Sequence, residues 1–273
     1  MSEPDPYALP EPWGRHALDP GETLTLEVGP LTLWLRSSAD DIWVAHAPGD
    51  WTRTGRRSAR AAPPAPEPED WSRWPVAVGL DEIVLSPVFP ARPVVVEPEQ
   101  SFRLLPRAEA RVFVRVPLWA RVGLASDGRR TLAELPSVVL SDTWWGTPTE
   151  GELCYWLATT ARRQVPDDVF APHLAVCPLR LSNRSDDELP VEKIVLRVGH
   201  LSLFCHGGHF WSDETRVRYR GADEGSDVEV AGSRPREAGD GAKVAEPRES
   251  PPSRGFRART FSRLKTLPGL GGL

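Results

Sequence analysis

The chain has little cysteine and no long apolar run. Its three cysteines, Cys154, Cys177 and Cys205, lie far apart and form no CxxC pair, which argues against a disulfide framework and fits a reducing compartment. No apolar stretch approaches the ~18 residues of a membrane-spanning helix. Residues 1–15 lack the basic and apolar regions of a signal peptide. These absences predict a cytoplasmic protein.

Signatures of common catalytic and cofactor-binding sites are missing as well. The sequence contains neither GxxxxGK nor GxGxxG, which excludes the usual phosphate-binding loops, and it has no GxSxG nucleophile motif. The net charge of −5 at pH 7 gives no general bias toward nucleic acid. We therefore expect a protein that is not an enzyme, holds no cofactor and has no nucleic-acid partner.

Proline, glycine and tryptophan are abundant instead. The 29 prolines and 22 glycines favour short strands and loops over long helices, because proline is excluded from helix interiors and central strands. Apolar residues alternate with polar ones at Leu24, Leu26 and Val28, and again between residues 110 and 124, as in half-buried strands. Many such segments between Pro and Gly turns predict an all-β fold of the β-sandwich type.

The predicted strands fall into two groups, which we interpret as two Ig-like β-sandwich lobes. The first lobe covers residues 13–125 and carries an Arg- and Pro-rich insertion at about 52–70 that is expected to be disordered. The second covers 126–221, and one extended sandwich is the alternative. Residues 222–250 are polar and nearly free of large apolar side chains, so they are predicted to form a disordered linker. Residues 251–273 form a short basic tail.

The most distinctive stretch of the sequence is LSDTWWGTPTEGELCYW at residues 140–156. Carboxylates flanked by aromatic rings are typical of sugar-processing sites, and in such a site the side chains should converge on an open cleft. The candidate binding residues are Asp142, Trp144, Trp145, Glu152 and Tyr155. In the alternative interpretation the tryptophans fill a sandwich core and the carboxylates belong to turns.

A weaker candidate for a ligand site lies between residues 200 and 209. Cys205, His206 and His209 are residue types that bind zinc or copper. Structural zinc sites normally have a second, separate ligand pair, which the sequence does not supply. The two glycines between the histidines are a strong turn signal, so the stretch also predicts a simple β-hairpin. The hairpin is the favoured interpretation, and no metal is expected.

The C-terminal tail combines positive charge with regularly interspersed apolar residues and contains no acidic residue. This composition is typical of a docking peptide or a membrane-surface anchor. The candidate docking residues are Arg254, Phe256, Arg257, Arg259, Phe261, Arg263, Leu264, Lys265 and Leu267. In the alternative interpretation the tail is unstructured or folds back on the body.

Several segments of the chain resemble the DUF432 family of archaeal and bacterial proteins. The matching pieces are VGPLTLW at 28–34, PVVV at 93–96, VRVPLW at 114–119, LSDTWWG at 140–146 and GELCY at 151–155. Together with a weaker match in the later strands they span most of the chain up to residue 221. The Arg/Pro insertion and everything after residue 221 look like departures peculiar to this chain.

The resemblance implies no enzymatic activity, because the family has none assigned. Proteins that resemble this family are often encoded beside MscS-like mechanosensitive channels, and this association implies a protein partner in the membrane. We therefore expect a non-catalytic accessory or adaptor protein that binds a membrane-protein complex through its tail, with peripheral contact at the inner face of the membrane. A ligand- or carbohydrate-binding protein that uses residues 140–156, and a metal-binding protein, are the alternatives.

Overall fold

The computed structural model describes residues 9–48, 67, 70–77, 82–126, 130–147, 149–165, 170–221, 225–251, 255–258 and 260–261, without the side chains of 158–160. These residues form an almost entirely β structure, as the sequence predicts. Its strands are β1 Gly14–Ala17, β2 Thr23–Val28, β3 Leu31–Ser37, β4 Asp41–Ala47, β5 Ser72–Pro75, β6 Glu82–Val88, β7 Val94–Pro98, β8 Phe102–Leu104, β9 Glu109–Pro117, β10 Trp119–Leu124, β11 Thr131–Pro136, β12 Ser141–Gly146, β13 Gly151–Ala161, β14 Leu174–Asn183, β15 Leu189–Val191, β16 Ile194–Leu196, β17 Leu203–His206, β18 His209–Ser212, β19 Thr215–Gly221, β20 Gly225–Val230, β21 Ala242–Ala245 and β22 Phe256–Ala258. Short 3-10 turns occupy Val198–His200 and Arg236–Ala238.

The first sheet shows how local sequence produces local structure. Strands β2, β3 and β4 form an antiparallel meander in which Val28 pairs with Leu31 across a turn at Gly29. Gly29 has φ +59°, and a Cβ there would overlap the ring of His173, so the turn needs glycine on both counts. The alternating leucines of β3 are buried. Strand β5 adds to the edge of β4.

The described strands form five sheets. Three are small and ordered β2-β3-β4-β5, β1-β6-β10-β11 and β12-β13-β7-β16, and one pairs β15 with β8. The largest runs β21-β17-β18-β14-β19-β20-β22, with β9 also paired to β14. Several neighbours are parallel, namely β7 with β13 and β14 with both β18 and β19.

The division into two lobes at residue 125 is wrong. Strand β9 of the supposed first lobe pairs along its length with β14 of the second, and β7 lies between β13 and β16. The hairpin of β10 and β11 crosses the proposed boundary itself. One hydrophobic core cluster extends from Trp13 to Tyr219. The strands therefore share sheets and a core across the boundary, as in the alternative of one continuous body.

The prediction of a disordered linker at 222–250 is wrong for residues 225–250, which the structure describes. Strand β20 pairs with β19, and β21 pairs with β17. Between them Ala238 is fully buried and Glu237 forms an ion pair with Arg111. The segment needs few apolar side chains of its own, because it completes edges of sheets whose other strands supply the core. Its low hydrophobicity therefore did not mean disorder.

Two further expectations from the sequence concern the Arg- and Pro-rich insertion and the lack of a membrane-spanning segment. The Arg/Pro insertion at 52–70 lies outside the described residues, apart from Glu67 and Asp70. After it, Trp71 lies 4.8 Å from the guanidinium of Arg36, and Trp74 packs against the core. Within the described ranges, the structure contains no helix long and apolar enough to cross a membrane.

Candidate functional site: the tryptophan hairpin

Strands β12 and β13 form a hairpin at one edge of the four-stranded sheet β12-β13-β7-β16. We call residues 141–156 the tryptophan hairpin. Its antiparallel register pairs Asp142 with Tyr155 and Trp144 with Leu153. Because successive strand residues point to opposite faces, these four side chains share one face of the hairpin. The other face carries Trp145 and its register partner Glu152.

Trp144 is held in place although it is half exposed. Its indole N–H donates a hydrogen bond to the carbonyl oxygen of Thr147 at 2.7 Å. Its ring lies on Gly151, where a Cβ would come within 2.7 Å of ring carbon Cε2. The turn below is closed by the Thr147 N–H, which donates to Glu150 O, and by the Glu150 N–H, which donates to Thr147 Oγ1. The ring is therefore a pre-positioned aromatic surface.

Leu153 extends this surface. Trp144 is 51 % exposed and Leu153, directly across the hairpin, is 41 % exposed. Further along the same face, Tyr155 packs against the main core, and the centroids of the Tyr155 and Trp119 rings are 6.1 Å apart. On this face of the sheet, Tyr155 packs against the core, whereas Trp144 and Leu153 near the tip of the hairpin are exposed to solvent. Sequence reasoning missed Leu153, although its position opposite Trp144 follows from the turn between the strands.

The opposite face of the hairpin is core. Trp145 is buried and packs with Val95, Cys154, Val195 and Trp156 in a small cluster separate from the main core. Trp145 therefore follows the alternative interpretation from sequence, in which tryptophan fills a sandwich interior, while its neighbour Trp144 does not.

The two carboxylates of the hairpin are engaged by arginines on different faces. Asp142 forms an ion pair with Arg92 at 2.9 Å, and Arg92 also lies over the Tyr155 ring. Glu152 forms an ion pair with Arg197. The five side chains expected to converge on one cleft are divided between two faces. Asp142 and Glu152 therefore do not flank a common substrate position, as a pair of glycosidase carboxylates would.

The weak metal-site candidates Cys205, His206 and His209 lie on a β-hairpin, as the turn signal of the two glycines predicts. Strands β17 and β18 are joined by Gly207 and Gly208, both with positive φ, and His206 pairs with His209. His206 Nδ1 lies 3.0 Å from Asp240 Oδ1, and the His209 ring stacks on Phe170. Cys205 lies on the opposite face and is buried. In the portion of the chain described by the structure, no three His, Cys, Asp or Glu side chains are grouped to hold a metal ion.

The cysteines are buried thiols of low reactivity. Burial raises the pKa of Cys154 and of Cys177 to about 12, and it also raises the pKa of Cys205. A thiol must lose its proton to act as a nucleophile, so all three are almost entirely in the unreactive form at neutral pH.

Part of the basic tail is packed on the body. Phe256 and Arg257 belong to β22, which pairs with β20, and Phe261 bridges to Ile194. The Phe261 ring also packs edge-on against the Tyr219 ring, with 5.9 Å between the ring centroids. The first aromatic residues of the tail are thus engaged in structural contacts. The other candidate docking residues, Arg254, Arg259, Arg263, Leu264, Lys265 and Leu267, lie outside the described residues.

Comparison with known families identifies the chain at the level of a family. The model of DUF432, described as a protein of unknown function, matches residues 12–265. The chain belongs to the DUF432 family. The DUF432 match continues beyond residue 221 and includes β20, β21 and β22, so the region after 221 is not peculiar to this chain, contrary to expectation. Searches of curated proteins and of solved structures found no match.

Proposed function

We propose that this DUF432 protein is a non-catalytic accessory protein that binds a protein partner through the tryptophan hairpin. An MscS-like mechanosensitive channel is the candidate partner, on the basis of the family resemblance. The observation that carries the proposal is the fixed, half-exposed Trp144 beside the exposed Leu153. Tryptophan is among the residues that contribute most to binding energy in protein interfaces.

The position of the hairpin in its sheet supports this proposal. In the described portion of the chain, β12 is paired on one side only, by β13. An edge strand presents unpaired N–H and C=O groups to which an extended segment of another protein can add. At the opposite edge of the same sheet, β16 is covered by the tail, where the Val195 N–H donates to Thr260 O at 3.1 Å. Among the described residues, the β16 edge of this sheet is therefore covered by the tail, whereas the outer edge of β12 has no strand paired to it.

The rigidity of Trp144 further favours a role in binding. Its hydrogen bond to Thr147 and its contact with Gly151 restrict the ring before any partner arrives. Ordering a free side chain on binding costs roughly 0.5–1.5 kcal/mol, and a pre-positioned ring avoids most of that cost.

A carbohydrate ligand is the second candidate. Asp142, Trp144 and Tyr155 share one face of the hairpin, and an exposed indole is a suitable stacking surface for a sugar ring. This arrangement supports sugar binding without hydrolysis, because the second carboxylate, Glu152, lies on the other face.

The test measures binding of the purified chain to an MscS-like channel reconstituted in lipid nanodiscs, by biolayer interferometry. Trp144→Ala and Leu153→Ala remove the two exposed side chains of the hairpin. Leu105→Ala is the matched control, because Leu105 is 58 % exposed and lies outside the hairpin. We expect Trp144→Ala to raise Kd about thirtyfold, which corresponds to about 2 kcal/mol, and the control to leave Kd unchanged.

Two further arms make the result decisive. A chain ending at Phe261 retains the packed part of the tail and lacks residues 262–273, so it separates a role of the distal tail from that of the hairpin. If the channel binds neither the full chain nor this truncation, or binds Trp144→Ala as tightly as the unaltered chain, the proposal is rejected. Retention of the chain on an insoluble polysaccharide that is lost in Trp144→Ala would instead support the carbohydrate candidate.

A further inference from the structure

A cavity of about 550 Å³ is lined by Arg107, Arg184, Arg218 and Arg220. We call it the arginine cleft. A neighbouring cavity of about 320 Å³ shares Arg184 and Arg218 with it. Its four arginines lie outside the tryptophan hairpin and play no part in the proposed partner binding.

The fold brings these arginines together from three segments. Strands β14 and β19 run parallel, and Ser182 on β14 pairs with Arg218 on β19. Arg184 and Arg220 each lie two residues further along, so period-two alternation places them on the same face as Ser182 and Arg218. The Arg184 N–H donates to Tyr219 O at 2.7 Å, which continues the pairing beyond the end of β14. This row of side chains forms one wall of the cleft.

Arg107 approaches from the turn that precedes β9, and its backbone is strained. Its φ of +63° lies in the left-handed region, which a non-glycine residue adopts at a cost. Hydrogen bonds hold this geometry, because the Arg107 N–H donates to Asn183 O and the Asn183 N–H donates to Ala108 O, both at 3.0 Å. Asn183 is itself fully buried and donates from its side chain to Leu104 O. Such strain is concentrated at functional sites, where the surrounding structure maintains it.

The ion pairs of the cleft arginines are exposed and exchangeable. Among the described residues, each guanidinium contacts a carboxylate at 2.6 to 2.9 Å, in the pairs Arg107–Asp186, Arg184–Glu109, Arg218–Glu229 and Arg220–Asp227. The four arginine side chains are 44 to 65 % exposed. Exposed pairs of this kind contribute roughly 0–1 kcal/mol. A guanidinium carries five N–H donors, so one carboxylate leaves donors for a ligand.

A structural arginine cluster in the same sheet provides the contrast. Glu214, whose side chain is only 9 % exposed, accepts from Arg111, Arg180 and Arg216. There a nearly buried carboxylate occupies the centre of the cluster, and the guanidiniums hold down the pKa of Glu214 against the effect of its burial. In the arginine cleft, by contrast, the described residues that line the cavity are all arginines, and their partner carboxylates are not among them.

We propose that the arginine cleft binds a soluble small molecule that carries two or more phosphate or sulfate groups. Guanidinium groups match the planar pairs of oxygens that such groups present, and they bind them bidentately. Several groups on one ligand can engage guanidiniums on both walls at once, whereas a single carboxylate cannot. The volume of the cleft lies within the range of roughly 300–1,000 Å³ that is typical of small-molecule sites.

The test is a calorimetric titration of the full chain with sodium tripolyphosphate at neutral pH and about 0.15 M salt, where long-range charge effects are screened. The variant Arg184→Gln/Arg220→Gln removes two cleft guanidiniums. Arg15→Gln/Arg103→Gln is the control of equal charge change, because Arg15 and Arg103 also form exposed ion pairs with carboxylates and do not line the cleft. We expect one bound tripolyphosphate per chain and at least about tenfold weaker binding for the cleft variant, with no change for the control.

Three comparisons complete the test. Circular dichroism and thermal melts establish that each variant is folded, and Arg184→Lys/Arg220→Lys keeps the charge but removes the bidentate geometry, so it should also bind more weakly. Inorganic monophosphate should bind at least about tenfold more weakly than tripolyphosphate. Absence of tripolyphosphate binding, or equal loss in the control, overturns the proposal. Cleft-dependent sedimentation with phosphatidylglycerol vesicles, without tripolyphosphate binding, overturns it in favour of a lipid headgroup.

Discussion

Asp213 is a buried carboxyl group whose ionisation opposes folding. It is only 1 % exposed, and the Ser202 N–H donates to its Oδ1 at 3.1 Å. Burial raises the pKa of Asp213 to about 7, although the hydrogen bonds from Ser202 and the charge of Lys243 act in the opposite direction. In the unfolded chain the same carboxyl has an ordinary pKa near 3.8. The folded protein therefore holds a proton that the unfolded chain releases.

This difference predicts a pH dependence of stability. Between pH 4 and 7 the folded state binds one more proton at Asp213 than the unfolded state, so the free energy of unfolding falls as the pH rises. The contribution of Asp213 is fully present below its unfolded pKa and is lost as the pH rises through about 7. Within that window we expect a loss of up to about 1.4 kcal/mol per pH unit from this group. Asp213→Asn should remove it.

Urea unfolding at several pH values between 5 and 8 measures the effect. Asp142→Asn is the control, since Asp142 is exposed and forms a surface ion pair. If Asp213→Asn unfolds with the same pH dependence as the unaltered chain, Asp213 is not the group responsible.

In the tryptophan hairpin, a glycine and a turn carbonyl together hold the Trp144 ring at the protein surface. The Trp144 ring occupies the space above Gly151, and the hairpin turn supplies the acceptor for its indole N–H. Any side chain at position 151 must compete with that ring. Glycine at position 151 is therefore required both by the backbone of the hairpin and by the Trp144 ring of the proposed binding surface.

Gly151→Ala should displace the Trp144 ring and destabilise the hairpin. The new Cβ would lie 2.6 Å from the Trp145 carbonyl oxygen and 2.7 Å from the Trp144 ring, so we expect a loss of about 1–3 kcal/mol. Gly123→Ala is the matched control in another strand, because its nearest atom is 3.4 Å away. Urea unfolding together with tryptophan fluorescence measures both stability and the ring environment. An unchanged emission spectrum and midpoint for Gly151→Ala would contradict the described packing.

At the scale of the whole molecule, the region after residue 221 completes the fold. Strand β20 pairs with β19, β21 pairs with β17, and Arg248 joins Glu134 at 2.7 Å while its side chain also donates to Phe89 O. The last part of the chain is thus joined to strands β17 and β19, and Arg248 connects it to Glu134 and Phe89 in the first half of the chain. The region therefore supports sheets that would otherwise have open edges.

A chain that ends at Gly221 should be much less stable than the full chain. It loses β20, β21 and β22 and leaves β17 and β19 unpaired on one side, so we expect a Tm lower by at least about 10 °C, or aggregation. A chain that ends at Phe261 is the control, because it retains all three strands and should melt as the full chain does. Equal thermal melts for all three chains would restore the interpretation of residues 222–250 as a disordered linker.

Local patterns account for the part of this fold that sequence reasoning found. Period-two alternation predicted strands at residues 24–28 and between 110 and 124, where β2, β9 and β10 lie, and the Gly207-Gly208 pair predicted the hairpin of β17 and β18. Both kinds of element are formed by residues that are neighbours in the chain, so the local sequence pattern is enough to predict them. Membership of the DUF432 family, indicated by LSDTWWG and its companion pieces, is also recorded in the sequence itself.

Contacts between distant segments account for the rest. The alternation of a strand assigns Trp144 and Trp145 to opposite faces, but only packing against Val95 and Val195 decides that Trp145 is the buried one. The arginine cleft exists because β14 and β19 run parallel and the turn at Arg107 meets their ends. The sequence by itself determined the β class, the local hairpins and the family. Sheet order and the side chains that face solvent depended on the tertiary structure, because strand pairing across many residues leaves no local periodicity to read.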